Sequence, residues 1–87
     1  MLRPFARFRA HMPTRPRYLC SRCGARWPCA PARLRLLTRY RDDPAGLLLH
    51  LGAYFYAALV DQPRTPPADL TRQMFGWVPD EIMHPDP

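Results

Sequence analysis

The sequence has no lysine, few glycines and an odd number of cysteines. Three cysteines cannot all pair with one another, which argues against a small secreted protein built on disulfides. The four glycines form no Gly-rich phosphate loop. The longest apolar stretch, residues 47–60, contains His50 and is shorter than a membrane span requires. Residues 1–19 are interrupted by Arg and Pro and lack the apolar segment of a signal peptide. We therefore expect a cytoplasmic protein with no membrane segment.

Acidic residues are absent from residues 1–41, which hold eleven of the thirteen arginines. Residues 42–87 hold the other two arginines and all seven acids, so the two halves carry formal charges of +11 and −5. This asymmetry favours an anionic partner for the first half. Charge polarity within a single fold explains it equally well. The use of Arg for every basic residue, with abundant Ala, Leu and Pro, is typical of a GC-rich genome such as that of an actinobacterium.

A chain of 87 residues is one domain at most. Chains this short usually need a metal, disulfides or a partner to hold a unique fold. We predict a mostly α-helical, zinc-stabilised domain over residues 18–79. An extended basic arm over residues 1–17, punctuated by proline, precedes it, and a flexible tail over residues 80–87 follows it.

Three helices are predicted in the part of the chain that follows Cys29. Pro31 suits the first turn of a helix that ends near Arg41, and Asp43 with Pro44 starts a second helix that ends near Asp61. The second helix is apolar nearly all round, which predicts a central core helix or a dimer interface. A third, short helix begins at Thr65-Pro66-Pro67 and is expected to end at Gly76 in a left-handed cap.

The segment Cys20-Ser21-Arg22-Cys23-Gly24 has the pattern of a zinc knuckle. Two thiolates separated by two residues can bind one tetrahedral ion, and Gly24 can take the left-handed conformation that turns backbone amides toward the sulfurs. Cys29 follows six residues later, at the start of the first predicted helix. The three cysteines therefore predict three of the four ligands of a zinc site.

The fourth ligand is open between two histidines, and we favour His11. It precedes Cys20 by nine residues and can fold back along the arm. His50 is the alternative ligand, although an ordinary histidine on the second helix explains it better, and His84 lies in the tail. Iron is the alternative metal in the cell, but an iron–sulfur cluster usually requires four cysteines.

The run from His11 to Cys20, the Cys20–Cys23 pair and Trp27-Pro28-Cys29 together resemble a group of short actinobacterial proteins. These share a His-x-Pro-x-Arg-Pro-x-aromatic-x-Cys-x-x-Cys stretch, then Trp-Pro-Cys, and a helical remainder that ends in Gly-Trp, as Gly76-Trp77 does here. Members are often labelled flavin reductases, and some lie near natural-product biosynthesis genes. The resemblance implies a shared fold and metal site, and an activity as a flavin reductase or its accessory component.

The residues themselves favour a non-enzymatic binding or accessory protein, because no catalytic constellation is recognisable. A protein partner is expected, and the apolar second helix could also support a homodimer. Nucleic acid is the alternative partner, since arginines interleaved with aromatic residues suit phosphate contacts and base stacking. The alternative explanation for the aromatic residues among the arginines is that Tyr18 and Trp27 pack around the zinc-binding segment. The predicted anion-binding residues are Arg15, Arg17, Arg22 and Arg26.

Overall fold

The computed structural model describes residues 11–83 of the chain. Four helices occupy most of this part, in agreement with the predicted mostly α-helical class. They are α1 (Ala30–Arg39), α2 (Pro44–Asp61), α3 (Pro67–Phe75) and α4 (Asp80–Met83). Residues 11–29, here called the metal loop, precede them and contain two isolated β-bridges. Residues 1–10 of the predicted arm (1–17) and residues 84–87 of the predicted tail (80–87) lie outside the described residues.

The metal loop folds back on itself twice. Antiparallel bridges pair Pro13 with Cys20 and Leu19 with Arg26. The Thr14 amide donates to the Leu19 carbonyl at 2.9 Å, and the Trp27 amide donates to the Tyr18 carbonyl at 2.8 Å. Residues 11–17 therefore belong to the metal loop, although their sequence predicts that they form part of the basic arm.

The starts of α1 and α2 follow from their local sequences. Cys29 occupies the N-cap position of α1 and has an extended backbone conformation. Asp43 caps α2, where its carboxylate accepts a hydrogen bond from the Gly46 amide at 2.9 Å, and Pro44 is the first helical residue. Both helices begin within one residue of the predicted positions.

The end of α3 differs from the prediction. Gly76 was expected to adopt a left-handed cap, but its backbone is right-handed, with φ −62° and ψ −19°. A Cβ at this position would lie 2.5 Å from the Arg72 carbonyl oxygen. Glycine is therefore required here by a close approach of the backbone and not by a positive φ. Trp77 folds back on the last turn of α3, where its indole nitrogen donates to the Met74 carbonyl at 2.8 Å.

The core lies between the metal loop and the helices, and α2 packs directly against α3. Ile82 and Met83 of α4 pack against it as well, so the packed body extends beyond the predicted boundary at residue 79. Among the described residues, no helix combines the length and the apolar character needed to cross a membrane. The buried core residues are Tyr18, Cys20, Trp27, Cys29, Ala32, Leu36, Leu47, Leu51, Ala58, Leu70, Met74 and Val78.

The outer face of α2 is apolar and exposed. Leu49, Tyr56 and Val60 are 77%, 69% and 62% exposed, respectively. Ala53 lies between them on the same side and is also exposed. These four residues, called the α2 stripe below, recur at the three- and four-residue spacing of one helix face.

Candidate metal centre

His11 and the three cysteines converge at one end of the metal loop. The Nδ1 atom of His11 lies 3.3 Å from Sγ of Cys20, 3.3 Å from Sγ of Cys23 and 3.4 Å from Sγ of Cys29. All four candidate ligand atoms lie within 4.8 Å of one another. One imidazole nitrogen and three sulfurs at such separations can hold a single metal ion.

The knuckle turn directs backbone amides at the first sulfur, as its sequence predicted. Gly24 has a φ of +75°, a left-handed conformation. The amides of Arg22 and Cys23 each donate to Sγ of Cys20 at 3.3 Å. Burial acts to raise the pKa of the Cys20 thiol, but these two hydrogen bonds, with smaller contributions from His11 and Cys29, lower it to about 6. The Cys20 thiol is therefore more readily ionised than an ordinary cysteine.

Cys23 has the opposite electrostatic environment. Loss of solvation, followed by interactions with the Cys20 and Cys29 sulfurs, raises the pKa of its thiol to about 11. The sulfur–sulfur interactions add to this effect, because three thiolates in so small a volume repel one another unless a positive charge compensates. A bound cation supplies that charge, so the ligand set fits a metal ion.

Trp27 and Gln73 stabilise the metal loop through hydrogen bonds to its backbone carbonyls. The Trp27 indole nitrogen donates to the His11 carbonyl at 3.2 Å, which fixes the backbone of the histidine. The Gln73 side-chain amide donates to the carbonyls of Tyr18 and Trp27 at 3.2 and 3.0 Å. Gln73 therefore connects α3 to both arms of the metal loop. The two hydrogen bonds of Gln73 could not be predicted from the sequence, because Gln73 lies 55 residues from Tyr18 and 46 residues from Trp27.

Tyr18 anchors the metal loop to the end of α2. Its backbone is left-handed, with φ 57°, a conformation that costs a bulky residue free energy. The buried ring and the phenol hydroxyl, which donates to Asp61 at 2.6 Å, compensate for this cost. Burial raises the pKa of Tyr18, and the hydrogen bond to Asp61 raises it further. The phenol thus stays neutral and serves as a donor.

The predicted anion-binding arginines separate into two groups. Arg15 forms an ion pair with Asp61 while its own side chain remains 70% exposed, so binding of an external anion by Arg15 stays a prediction. Arg17, Arg22 and Arg26 are exposed on the metal loop. Tyr18 and Trp27 are only 2% and 4% exposed, so of the two explanations offered for these aromatic residues, packing around the loop is confirmed.

His50 lies outside the metal cluster, in agreement with its interpretation as an ordinary helix histidine. Its Nδ1 is 3.0 Å from the Tyr40 hydroxyl, and its ring packs near Tyr54, with a centroid separation of 5.5 Å. Burial lowers the pKa of this imidazole, and the charge of Arg39 lowers it further. The fourth position of the cluster therefore belongs to His11.

The chain matches no protein-family model, and comparisons with curated proteins and with solved structures find no similar protein.

Proposed function

We propose that this protein is a zinc-stabilised, non-enzymatic module that associates with protein through the outer face of α2. The observation that carries the proposal is the closed ligand set of His11, Cys20, Cys23 and Cys29. Structural zinc sites use four protein ligands, whereas catalytic sites keep one position for water. Three thiolates also make zinc a weak Lewis acid, which supports a role in folding over catalysis.

Zinc is the ion best suited to the geometry. For Zn–N and Zn–S bonds of ordinary length in a tetrahedron, nitrogen and sulfur lie about 3.5 Å apart. The distances from Nδ1 of His11 to the three sulfurs are 3.3, 3.3 and 3.4 Å. Thiolate and imidazole ligands prefer zinc to the hard cations, which take oxygen ligands.

The protein-binding part of the proposal rests on the α2 stripe. Along Pro44–Asp61 there is no Lys, Arg or Glu, and the single His and the single Asp, His50 and Asp61, both lie outside the stripe. A second copy of the chain is the occupant that this face favours. Two such faces can meet across a two-fold axis without opposing like charges, although the chain as a whole carries a net charge of +6.

Metal analysis tests the first half of the proposal. The full chain, purified without chelator, should contain one zinc per chain, and its removal should abolish the dispersion of the amide NMR spectrum. A protein without stoichiometric metal, or one with bound flavin, would contradict the proposal. Flavin would support the reductase activity that the resemblance to short actinobacterial proteins implies.

Light scattering during gel filtration tests the second half on the zinc-loaded protein. The wild type should form a dimer as its concentration rises, and the double variant Leu49→Asp, Tyr56→Asp should remain a monomer. The matched control is Leu34→Asp, because Leu34 is 68% exposed but lies on α1. A wild type that stays monomeric throughout would refute self-association through α2.

Nucleic acid is the second candidate partner, favoured by the exposure of Arg17, Arg22 and Arg26 on one loop. With Tyr18 and Trp27 buried, such binding would rest on phosphate contacts and would depend steeply on salt. Fluorescence anisotropy with a labelled oligonucleotide should show weaker binding for Arg22→Gln, Arg26→Gln than for the control Arg64→Gln. Equal affinity of the two variants would exclude this surface.

A further inference from the structure

A cleft of about 220 Å³ lies beside the metal cluster, between the metal loop, α1 and α2. Its floor is apolar: Trp27 and Leu36 are buried there, and Tyr54 forms the adjoining wall. The rings of Trp27 and Tyr54 are tilted against each other, with centroids 4.7 Å apart. This volume is below the range of about 300–1,000 Å³ typical of drug-sized ligands, so it suits a compound with one ring.

Two arginines stand along one side of the cleft. Arg35 and Arg39 are four residues apart on α1, one helical turn, and both line it. Their neighbour across the cleft is His50 of α2, whose Nδ1 is engaged with the Tyr40 hydroxyl at 3.0 Å. That contact leaves Nε2 as the remaining hydrogen-bonding atom of the ring.

The side chains that line the cleft include the two arginines and His50. Within residues 11–83, the part of the chain that the structure describes, no acidic residue lines it. The charge of Arg39 reaches His50, where it adds to the effect of burial in lowering the pKa of the imidazole. A positive potential over an apolar aromatic floor is the environment that binds an anionic group attached to a ring.

We propose that this cleft binds a small aromatic anion, with its carboxylate or phosphate group against Arg35 and Arg39 and its ring against Trp27 and Tyr54. The anion forms hydrogen bonds with guanidinium groups, and the ring makes the tilted contacts that aromatic pairs prefer. This binding site is separate from the proposed function. It requires the metal loop to be folded, since His11 and Trp27 of that loop line the cleft.

The test is an NMR titration of the zinc-loaded full chain with benzoate and with phenyl phosphate. The two indole N–H signals give an internal comparison, because Trp27 lines the cleft and Trp77 does not. Saturable shifts of the Trp27 indole at ligand concentrations up to about 10 mM are expected, with the Trp77 signal unmoved. Benzyl alcohol, which has the ring without the charge, and inorganic phosphate, which has the charge without the ring, should each bind at least tenfold more weakly.

Variants separate the cleft from general attraction to a basic protein. Arg35→Gln, Arg39→Gln should weaken benzoate binding by about tenfold, because two charge-assisted contacts are lost. Arg41→Gln, Arg64→Gln removes the same two charges outside the cleft and should leave the affinity unchanged. No saturable shift in the wild type, equal shifts with benzyl alcohol, or equal losses in both variants would overturn the proposal. Because each comparison uses zinc-loaded protein, failure here is distinct from failure of the metal site.

Discussion

Arg15 and Asp61 form a bidentate ion pair across 46 positions of the chain, from the metal loop to the last residue of α2. The Arg15 Nε and one terminal nitrogen donate to the two carboxylate oxygens at 2.7 and 2.6 Å. Hydrogen bonds from Arg15 and then from Tyr18 lower the pKa of Asp61 to about 2. A carboxylate at a helix C-terminus opposes the helix dipole, so Arg15 compensates for an unfavourable position.

We expect Asp61→Asn to lower the melting temperature of the zinc-loaded protein by several degrees. The change keeps the shape of the side chain but removes the charge that holds Arg15 in a bidentate geometry. Differential scanning calorimetry measures the effect. Asp69→Asn is the matched control, because Asp69 pairs with Arg72 on the exposed surface of α3 and such pairs contribute little. Equal shifts in both variants would contradict a special role for Asp61.

Gln73→Leu should reduce the free energy of unfolding by about 1 kcal/mol, because the carbonyls of Tyr18 and Trp27 lose a partly buried donor. Hydrogen exchange should locate the change in the metal loop, with faster exchange at residues 18–27. Thr71→Val, which removes one exposed hydroxyl bond on the same helix, serves as the control. If hydrogen exchange at residues 18–27 is unchanged in Gln73→Leu, the hydrogen bonds from Gln73 do not stabilise the metal loop.

His50 should make the protein less stable as the pH falls from about 7 to 5. Burial, and then the charge of Arg39, lower its pKa in the folded state below that of the unfolded chain. The unfolded state therefore binds more protons in this window, and stability is lost as the pH falls through it. Urea unfolding of the wild type and of His50→Gln at several pH values should show a shallower decline for the variant. Parallel profiles would assign the pH dependence to other groups.

His11→Ala should weaken zinc binding at least 100-fold, because a direct ligand matters more than the outer contacts whose loss costs about 10–100-fold. Competition with a chromogenic chelator measures the affinity. His50→Ala should leave it unchanged, since His50 lies with Tyr40 and Tyr54 outside the cluster. A strong effect of His50→Ala on zinc affinity, with none from His11→Ala, would reverse the assignment of the fourth ligand.

The sequence was sufficient for features whose causes are local. Asp43 and Pro44 predicted the start of α2, because a capping carboxylate and a preset φ act within one turn. The spacing of Cys20 and Cys23, with Gly24 after them, predicted the knuckle turn for the same reason. Gly76 shows where local reasoning fails: glycine there serves a close approach to the Arg72 carbonyl and not a left-handed cap.

Choices between distant partners were made by tertiary structure alone. The sequence left His11 and His50 as competing ligands, and the folding of the metal loop brought only His11 to the sulfurs. No local pattern predicted the ion pair between Arg15 and Asp61, which lie 46 residues apart in the sequence. The physical reason is the same in both cases. Spacing along the chain fixes the geometry of a turn, but whether two groups far apart in sequence meet depends on how the chain between them folds.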